Sequence, residues 1–519
     1  MTLPLVPGVA RFQRVDDVPR VQAGERPDAL ALVQGQQRWS YRRWNDAIDL
    51  VAARLGAAGL RAGDRLMIVG ENGLVVATMI HAALRCNAWP VILNARLSAR
   101  EVDTIAGHSG ARFAVFATDV SPDAAKHAER LAASKTEWPP LPVFALSPRR
   151  EATPEIMTGD PARDVAALIY TSGTTGTPKG VMLSHGNLLH VAKYSGHLRG
   201  LSPTDRVFGA LPMSHVFGLS SVFIGTTLYG GALFLVSRFD PGAALDMLAE
   251  ERLTVFQGVP AMFARLLEHL ATSGRKIDAP ALRYASSGGS PLDLSLKHET
   301  EAVFGVPLHN GFGMTELSPT VAQTRIDAPR TDDSCGPIVD GIEVRIAGGD
   351  GRALPAGETG VLKVRGPTVM QGYYRAPELT ASVVDAEGFL DTGDLARLDA
   401  EGNLFIVGRA KDLIIRSGFN VHPEEVEAVL RGHPAVTLAA VVGRAAGGGN
   451  EEVIAFVQLI PGTGASEAEL QAWCGPRLAP YKRPARIVAL AALPASSTGK
   501  VQKAPLRVRA ANLGREGAA

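Results

Sequence analysis

Between about residue 30 and residue 410, short apolar runs with strand-like composition alternate with helix-like runs, and this alternation restricts the fold more than any other feature of the chain. The run Arg65-Leu-Met-Ile-Val-Gly70 precedes a helical stretch at 75–85, and Phe113-Ala-Val-Phe-Ala117 precedes an Ala-rich charged stretch at 122–134. Residues 207–211, 232–236 and 254–256 read as further buried strands. Strands apolar on both faces, each followed by a helix, predict α/β layers in which sheets are covered by helices. A chain of 519 residues is also too long for one compact core, so at least two domains are expected.

The alternation changes character at 341–407, where the strand-like run 361–365, the turn-rich run 366–375 and the turn Asp399-Ala-Glu-Gly-Asn403 predict an antiparallel or barrel-like part. After it comes a compact unit of about 110 residues, with helices at 423–431 and around 467–478 and strands near 436–442 and 453–460. We place the domain boundary near residue 410, giving a large domain at 1–409 and a small one at 410–519. No internal repeat is evident.

Function is most legible at Thr171-Ser-Gly-Thr-Thr-Gly-Thr-Pro-Lys-Gly180, which follows the apolar run 165–170. Eight of these ten residues are Ser, Thr or Gly, more than an ordinary polar turn needs directly after a buried strand. Gly173, Gly176 and Gly180 can take positive φ and converge backbone amides on an anion, the hydroxyls of Thr171, Ser172, Thr174, Thr175 and Thr177 add donors, and Lys179 adds a point charge. The segment reads as a polyphosphate clamp. It is not the P-loop of ATPases, because Lys179 lies between Pro178 and Gly180 and not in the Gly-Lys-[Ser/Thr] context.

Bulk properties narrow the partners. With 53 basic and 52 acidic residues the formal charge is +1, which gives no basic field for a nucleic acid. Small-molecule partners are expected instead, and nothing in the sequence decides between a monomer and a homodimer. Cys86, Cys335 and Cys474 are scattered and odd in number, which fits a reducing compartment, and the first residues lack a secretory pattern. A cytoplasmic location follows as an expectation. The uncharged stretch 216–236 is long enough to span a bilayer, but its Gly218, Gly225 and Gly230-Gly231 favour a core helix, a turn and a buried strand, so no stable membrane insertion is expected.

Four later segments add chemistry. In Asn310-Gly-Phe-Gly-Met-Thr-Glu316, a turn presenting Phe312 could stack on adenine, and Glu316 could meet a magnesium ion bridging phosphates. Asp394, read as lying in a tight turn after a short apolar run, could accept from two neighbouring hydroxyls, as acidic residues do with ribose. Arg409, Lys411 and Arg416 crowd the suspected boundary beside Gly408 and Gly418, where two domains could pivot about a phosphate-bearing ligand. Near the C-terminus, Lys500 stands alone on the uncharged loop Pro494-Ala-Ser-Ser-Thr-Gly-Lys500, free to bring a counter-charge to a site or to withdraw it.

Together these segments, in this order, resemble the adenylate-forming superfamily and within it the acyl-CoA synthetase and aryl-CoA ligase branch; the likeness runs from Trp39-Ser-Tyr41 through Asn94-Ala-Arg96 to Lys500. The resemblance implies a large N-terminal domain of layered α/β sheets with a small barrel-like part, and a smaller, mobile α+β C-terminal domain. It implies ATP, Mg²⁺ and coenzyme A as cofactors and co-substrates. It gives Thr171, Ser172, Gly173, Thr174, Thr175, Gly176 and Lys179 to the β- and γ-phosphates, Thr315 to the α-phosphate and Glu316 to Mg²⁺. Gly289, Asn310 and Phe312 correspond to the adenine wall, Asp394 to the ribose acceptor and Arg409 to a neighbouring ribose and phosphate contact. Lys500 matches the adenylation lysine, and Lys411 the hinge. Gly418 is placed beside a pantetheine channel, and Asn420 at the docking of the small domain. His215 borders the acyl site as a gate or wall rather than a base, since a carboxylate needs no deprotonation near neutral pH.

Departures from the family pattern are Phe312 for a usual Tyr, Ala495 for a frequent Lys, Lys503 for a usual Arg, and the segment 442–450, in which Arg444 either meets a nucleotide phosphate or faces solvent. The acyl wall is read as Val216, Phe217, Ser221, Val259, Gly288, Gly313 and Met314, with no second cation. A dicarboxylate would then leave an unpaired charge, so an apolar monocarboxylic acid, aryl or medium- to long-chain aliphatic, is expected. The overall expectation is an ATP-dependent carboxylate–CoA ligase working through an acyl-adenylate. Two alternatives stand beside it: transfer of the acyl group to a carrier protein or other acceptor, and a non-catalytic ATP-binding relative.

Overall fold

The computed structural model describes residues 9–172, 178–416, 419–447, 450–460, 462–495 and 501–513. Two eight-stranded sheets dominate the large domain. In the first, strands Arg206–Gly209, Ala232–Leu235, Val255–Gly258, Tyr284–Ser287 and Leu308–Gly313 run parallel, and Thr320–Gln323 closes one edge antiparallel. In the second, Arg65–Val69, Trp89–Leu93 and Phe113–Phe116 are parallel, while Val165–Ser172 and Pro178–Ser184 form an antiparallel pair. Full burial of strands such as Trp89–Leu93 explains why they read as continuous apolar runs with no polar alternation.

The stretch that could have passed for a membrane span is a buried π-helix, Phe217–Ile224, continuing as a short α-helix, Gly225–Leu228, then a turn and the strand Ala232–Leu235. Among the described residues no helix is long and apolar enough to cross a membrane. Residues 343–409 form a four-stranded antiparallel sheet in the order Glu343–Ala347, Gly360–Arg365, Leu390–Leu398, Leu404–Arg409.

A single 3₁₀ turn, Ala410–Asp412, leads from that sheet to a two-stranded hairpin and then to the small unit. There the strands Val436–Gly447, Asn450–Leu459 and Arg486–Leu490 carry a separate apolar cluster on each face, one under the helices Pro423–Arg431 and Glu467–Cys474, the other under Lys503–Asn512. The helix Pro423–Arg431 rests on the large domain. A Cβ added at Gly408 would come within 2.6 Å of a Glu424 carboxylate oxygen, so a side chain there would make that carboxylate move aside. Beside it Arg431 lies 3.5 Å from Asp293, the N-cap of the helix Leu294–Phe304.

The three cysteines are free; Cys335 and Cys474 are buried and Cys86 partly so, and burial pushes the Cys335 thiol up to about 12. They are packing residues.

Candidate active site

A cleft of about 2230 Å³ opens between the two units, and the parallel strands of the first sheet aim their carboxyl ends into it. Open α/β sheets place ligands at this edge, where strand ends and the loops after them leave backbone groups unpaired by the sheet. Thr171, Lys179, His215, Gly289, Asn310, Phe312, Thr315, Glu316, Asp394, Arg409 and Lys411 all line the cleft, although they are drawn from across some 240 residues of chain.

At the phosphate-clamp segment, Thr171 pairs with Lys179 and Ser172 with Pro178 across an antiparallel ladder. Gly173, Thr174, Thr175, Gly176 and Thr177 lie outside the described residues, as does the side chain of Ser172. Lys179 Nζ sits 5.4 Å from the ring centre of Tyr373, and the Tyr373 hydroxyl donates to Glu316 Oε1 at 2.8 Å. Burial and the Glu316 carboxylate both raise the Tyr373 pKa, so it stays protonated and holds the carboxylate in place. No sequence motif had pointed to Tyr373; it arrives through the two-residue strand Gly372–Tyr373, which pairs with Val181 and Met182.

Two predicted turns are strands. Asn310 and Phe312 belong to Leu308–Gly313, whose glycines serve close approach: a Cβ at Gly313 would fall 1.9 Å from the Pro319 carbonyl oxygen. Thr315 and Glu316 follow in a 3₁₀ turn, with Thr315 buried. Asn310 Nδ2 donates to the Asp333 carbonyl at 3.1 Å, which fixes the strand to the loop beyond it. Asp394 lies within the strand Leu390–Leu398, opposite Arg409, and their side chains form an ion pair at 2.7 Å. Gly289, with φ +79, leaves an open strip in which an added Cβ would meet only Val259, at 3.7 Å.

Lys411 is exposed in the connecting 3₁₀ turn, and partial burial and Arg409 lower its pKa. Asn420, exposed in the strand Phe419–Val421, does not line the cleft; Gly418 and Lys500 are outside the described residues, although Ala495 and Val501 on either side of the Lys500 segment do line it. Arg444 follows neither alternative read from the sequence: Glu452 holds it at 2.9 Å and it donates to the Leu513 carbonyl. Lys503 is engaged by Glu427 at 2.8 Å.

The acid end of the cleft differs from the wall read from the sequence. Phe217, Val259, Gly288, Gly313 and Met314 do line it, with His215 beside them, whereas Val216 is fully buried in the core and Ser221 is not on the surface of the cleft. The absence of a second cation is corrected by Arg199, which caps the helix His185–Leu198, is 3% exposed and lines the cleft together with Gln323. An arginine at a helix C-terminus reads as a solvated charge answering the helix dipole, and nothing local to 199 reveals its burial.

Among the described residues, no group of three His, Cys, Asp or Glu side chains could hold a metal ion by itself. A single half-buried carboxylate, Glu316, beside a phosphate-type clamp suits a magnesium ion that takes its other ligands from phosphate and water.

Known proteins are similar to this chain over nearly its whole length. The sequence profile described as AMP-binding enzyme matches residues 19–374, and that of the AMP-binding enzyme C-terminal domain matches 425–500. A feruloyl-CoA synthase of Amycolatopsis sp. is 34% identical over 502 residues, covering 96% of this chain and 99% of the relative. The crystal structure of ATP-bound MatB from Rhodopseudomonas palustris superposes with a TM-score of 0.83 at 30% identity, over 96% of this chain and 99% of that one. The o-succinylbenzoate coenzyme A synthetase of Bacillus subtilis, in complex with ATP and a magnesium ion, does so at 0.79 and 29%, over 95% and 98%. The chain belongs to the AMP-binding enzyme family, in the acyl- and aryl-CoA ligase branch of the adenylate-forming superfamily, and is an ATP-dependent acid–thiol ligase working through an acyl-adenylate.

Proposed function

We propose that the cleft between the two units activates a carboxylic acid with an apolar middle section on ATP and passes it to coenzyme A, with its two ends divided between the substrates. The observation that carries this reading is the convergence in one cleft of Lys179, Glu316, Thr315 and the Asp394–Arg409 pair with the apolar Phe217, Val259 and Met314.

At the nucleotide end, Thr171 and Lys179 flank the polyphosphate, and the described part of the clamp supports the reading of 171–179 as its cradle. Thr315 lies next to Glu316 in one tight turn, which suits a donor to the α-phosphate beside a magnesium ligand. Bound there, the ion would offset charge on phosphate oxygens. Asp394, buried and oriented by Arg409, is placed to accept from the ribose hydroxyls, and Gly289, Asn310 and Phe312 offer a flat, open strip for adenine.

A carboxylate is a poor acyl donor because its leaving group would be oxide. Its oxygen therefore bonds to the α-phosphorus while the bond to the bridging oxygen breaks and pyrophosphate leaves. What the protein contributes is positioning and fixed positive charge where negative charge gathers: Lys179 on the departing side, and Lys500, carried by the small unit, at the transferring centre. In the second step the thiol sulfur of coenzyme A bonds to the acyl carbon, AMP leaves, and the thiol proton goes to solvent. Lys500 has no part in that step, which fits a small unit joined by the turn Ala410–Asp412 and rotating about Lys411. The hairpin Ile414–Arg416/Phe419–Val421, with Phe419 53% exposed, supports a second docking pose in which Asn420 changes its neighbours.

Production of AMP and of thioester, measured with and without coenzyme A over aryl and aliphatic acids, tests the proposal. The expected result is pyrophosphate release that depends on the acid, and AMP release accelerated by coenzyme A. An acyl-adenylate that forms but whose discharge coenzyme A never accelerates would overturn the choice of acceptor.

A further inference from the structure

Arg199 is the one feature of the cleft that an uncharged acid leaves unexplained. Its guanidinium donates from Nη1 to the Ser221 carbonyl at 2.9 Å and from Nη2 to Gln323 Oε1 at 3.2 Å, and its Nε–H has no hydrogen-bond partner among the described residues. No carboxylate of the described residues lies within ion-pair distance of it. The nearby Asp205 is already engaged by Arg283, at 2.6 and 2.8 Å. Burial lowers the Arg199 pKa, yet a guanidinium stays protonated in proteins, so a full positive charge remains in the core.

A buried charge met only by neutral oxygens is costly, and two such contacts do not offset the loss of water around a guanidinium. The surroundings reinforce the point. Gln323 Oε1 also accepts from Ser195 Oγ at 2.7 Å, so it is held facing the arginine, and the buried Ser286 hydroxyl has no hydrogen-bond partner of good geometry among the described residues. Tyr284, wholly buried, lies against the guanidinium and Ser286, and its hydroxyl makes no hydrogen bond of good geometry. Arg199, Gln323 and Ser286 all line the cleft. They form a polar floor in the cleft that Phe217, Val259 and Met314 also line.

We infer that Arg199 receives a second anionic oxygen group on the acid substrate, a carboxylate or sulfonate at the end remote from the carboxylate that is activated. The inference rests on the reading of this cleft as the ligase site and adds the class of acid it takes. A planar guanidinium that no carboxylate answers suits a carboxylate or sulfonate, and in a dry floor such a charge-assisted bond contributes more than it would in water. The same cation penalises a purely apolar tail, which would bury the charge without an anion.

The test is pyrophosphate release by the full-length enzyme on matched pairs: straight-chain acids of four to ten carbons against their α,ω-diacids, and benzoate against its carboxy and sulfo derivatives. At least one anionic member should exceed its uncharged partner in kcat/KM by about 10- to 100-fold. Arg199→Met should lower that ratio by a similar factor, and Arg199→Lys should restore part of it. Gln323→Glu, which places a carboxylate beside an intact arginine, should lower the ratio as well and guards against a fold defect peculiar to the arginine variants. Uncharged acids preferred throughout by the wild type, or a ratio unmoved in both Arg199→Met and Gln323→Glu, would overturn the inference and leave the ligase reading intact. Failure of every acid to release pyrophosphate would overturn both. Response to sulfo but not carboxy derivatives, or the reverse, identifies which anion the floor accepts and supports the inference either way.

Discussion

The two ends of the cleft treat charge in opposite ways. At the nucleotide end Arg409 holds Asp394 in an ion pair, and Tyr373 donates to Glu316 while its ring lies 5.4 Å from Lys179. At the acid end Arg199 is met by a carbonyl, an amide and the Tyr284 hydroxyl, and by no carboxylate of the described residues. The nucleotide end is organised before substrate arrives, whereas the acid end carries a charge that a substrate can complete. An end with its charges matched serves any acid, and an end with a charge in excess selects among them.

The sharpest way to break this comparison is to remove a charge from the nucleotide side of the chemistry. Lys500→Ala is expected to slow acyl-adenylate formation by about 10²- to 10³-fold, while discharge of a supplied acyl-adenylate to coenzyme A changes little. Equal losses in both half-reactions, measured by rapid quench, would remove the case for rotation between them. Next in size is Arg199→Met, with the selectivity ratio collapsing by about 10- to 100-fold; a fall in ATP affinity in its place would merge the two ends into one functional unit. Asp394→Asn should weaken ATP binding by about tenfold, measured by calorimetry, because a neutral amide both accepts less strongly and releases Arg409.

The smallest effect concerns the seat of the small domain. Burial raises the Glu424 pKa to about 7, against the pull of Lys503 and with help from Glu427 and Asp412. Its folded-state value lies above the ordinary one, so the contribution to stability is fully present below about pH 4.5 and is lost as pH rises through 7. The melting temperature of the wild type should therefore fall between pH 5 and 8 relative to Glu424→Gln. Parallel curves for the two proteins would mean that the carboxyl is solvated in the docked pose.

These two ends also differ in how far the sequence discloses them. Thr171 with Lys179, Thr315 with Glu316, and Asp394 could each be picked out because each sits in a contiguous segment whose composition declares its chemistry. Even so, Asp394 and Phe312 were read in turns, since Gly-rich segments look like turns until a distant strand pairs with them; Leu404–Arg409 and Thr320–Gln323 supply that pairing. The acid end has no such segment. Arg199, Ser221 and Gln323 meet from a helix end, a π-helix and an edge strand, and each looks ordinary in its own neighbourhood. Tyr373 was missed for the same reason, being one aromatic in a short strand whose partner lies 190 residues away.

Gly408, finally, can be restated as a population. Because its Cα faces the Glu424 carboxylate closely, any side chain at 408 would push that carboxylate from its place in the docked pose. A larger residue would leave both domains folded and shift the ratio of docked to undocked molecules tenfold for each 1.4 kcal/mol or so that moving Glu424 costs. The missing side chain at one position is thus a thermodynamic setting: it is one of the terms that set what fraction of molecules waits in this pose between one half-reaction and the next.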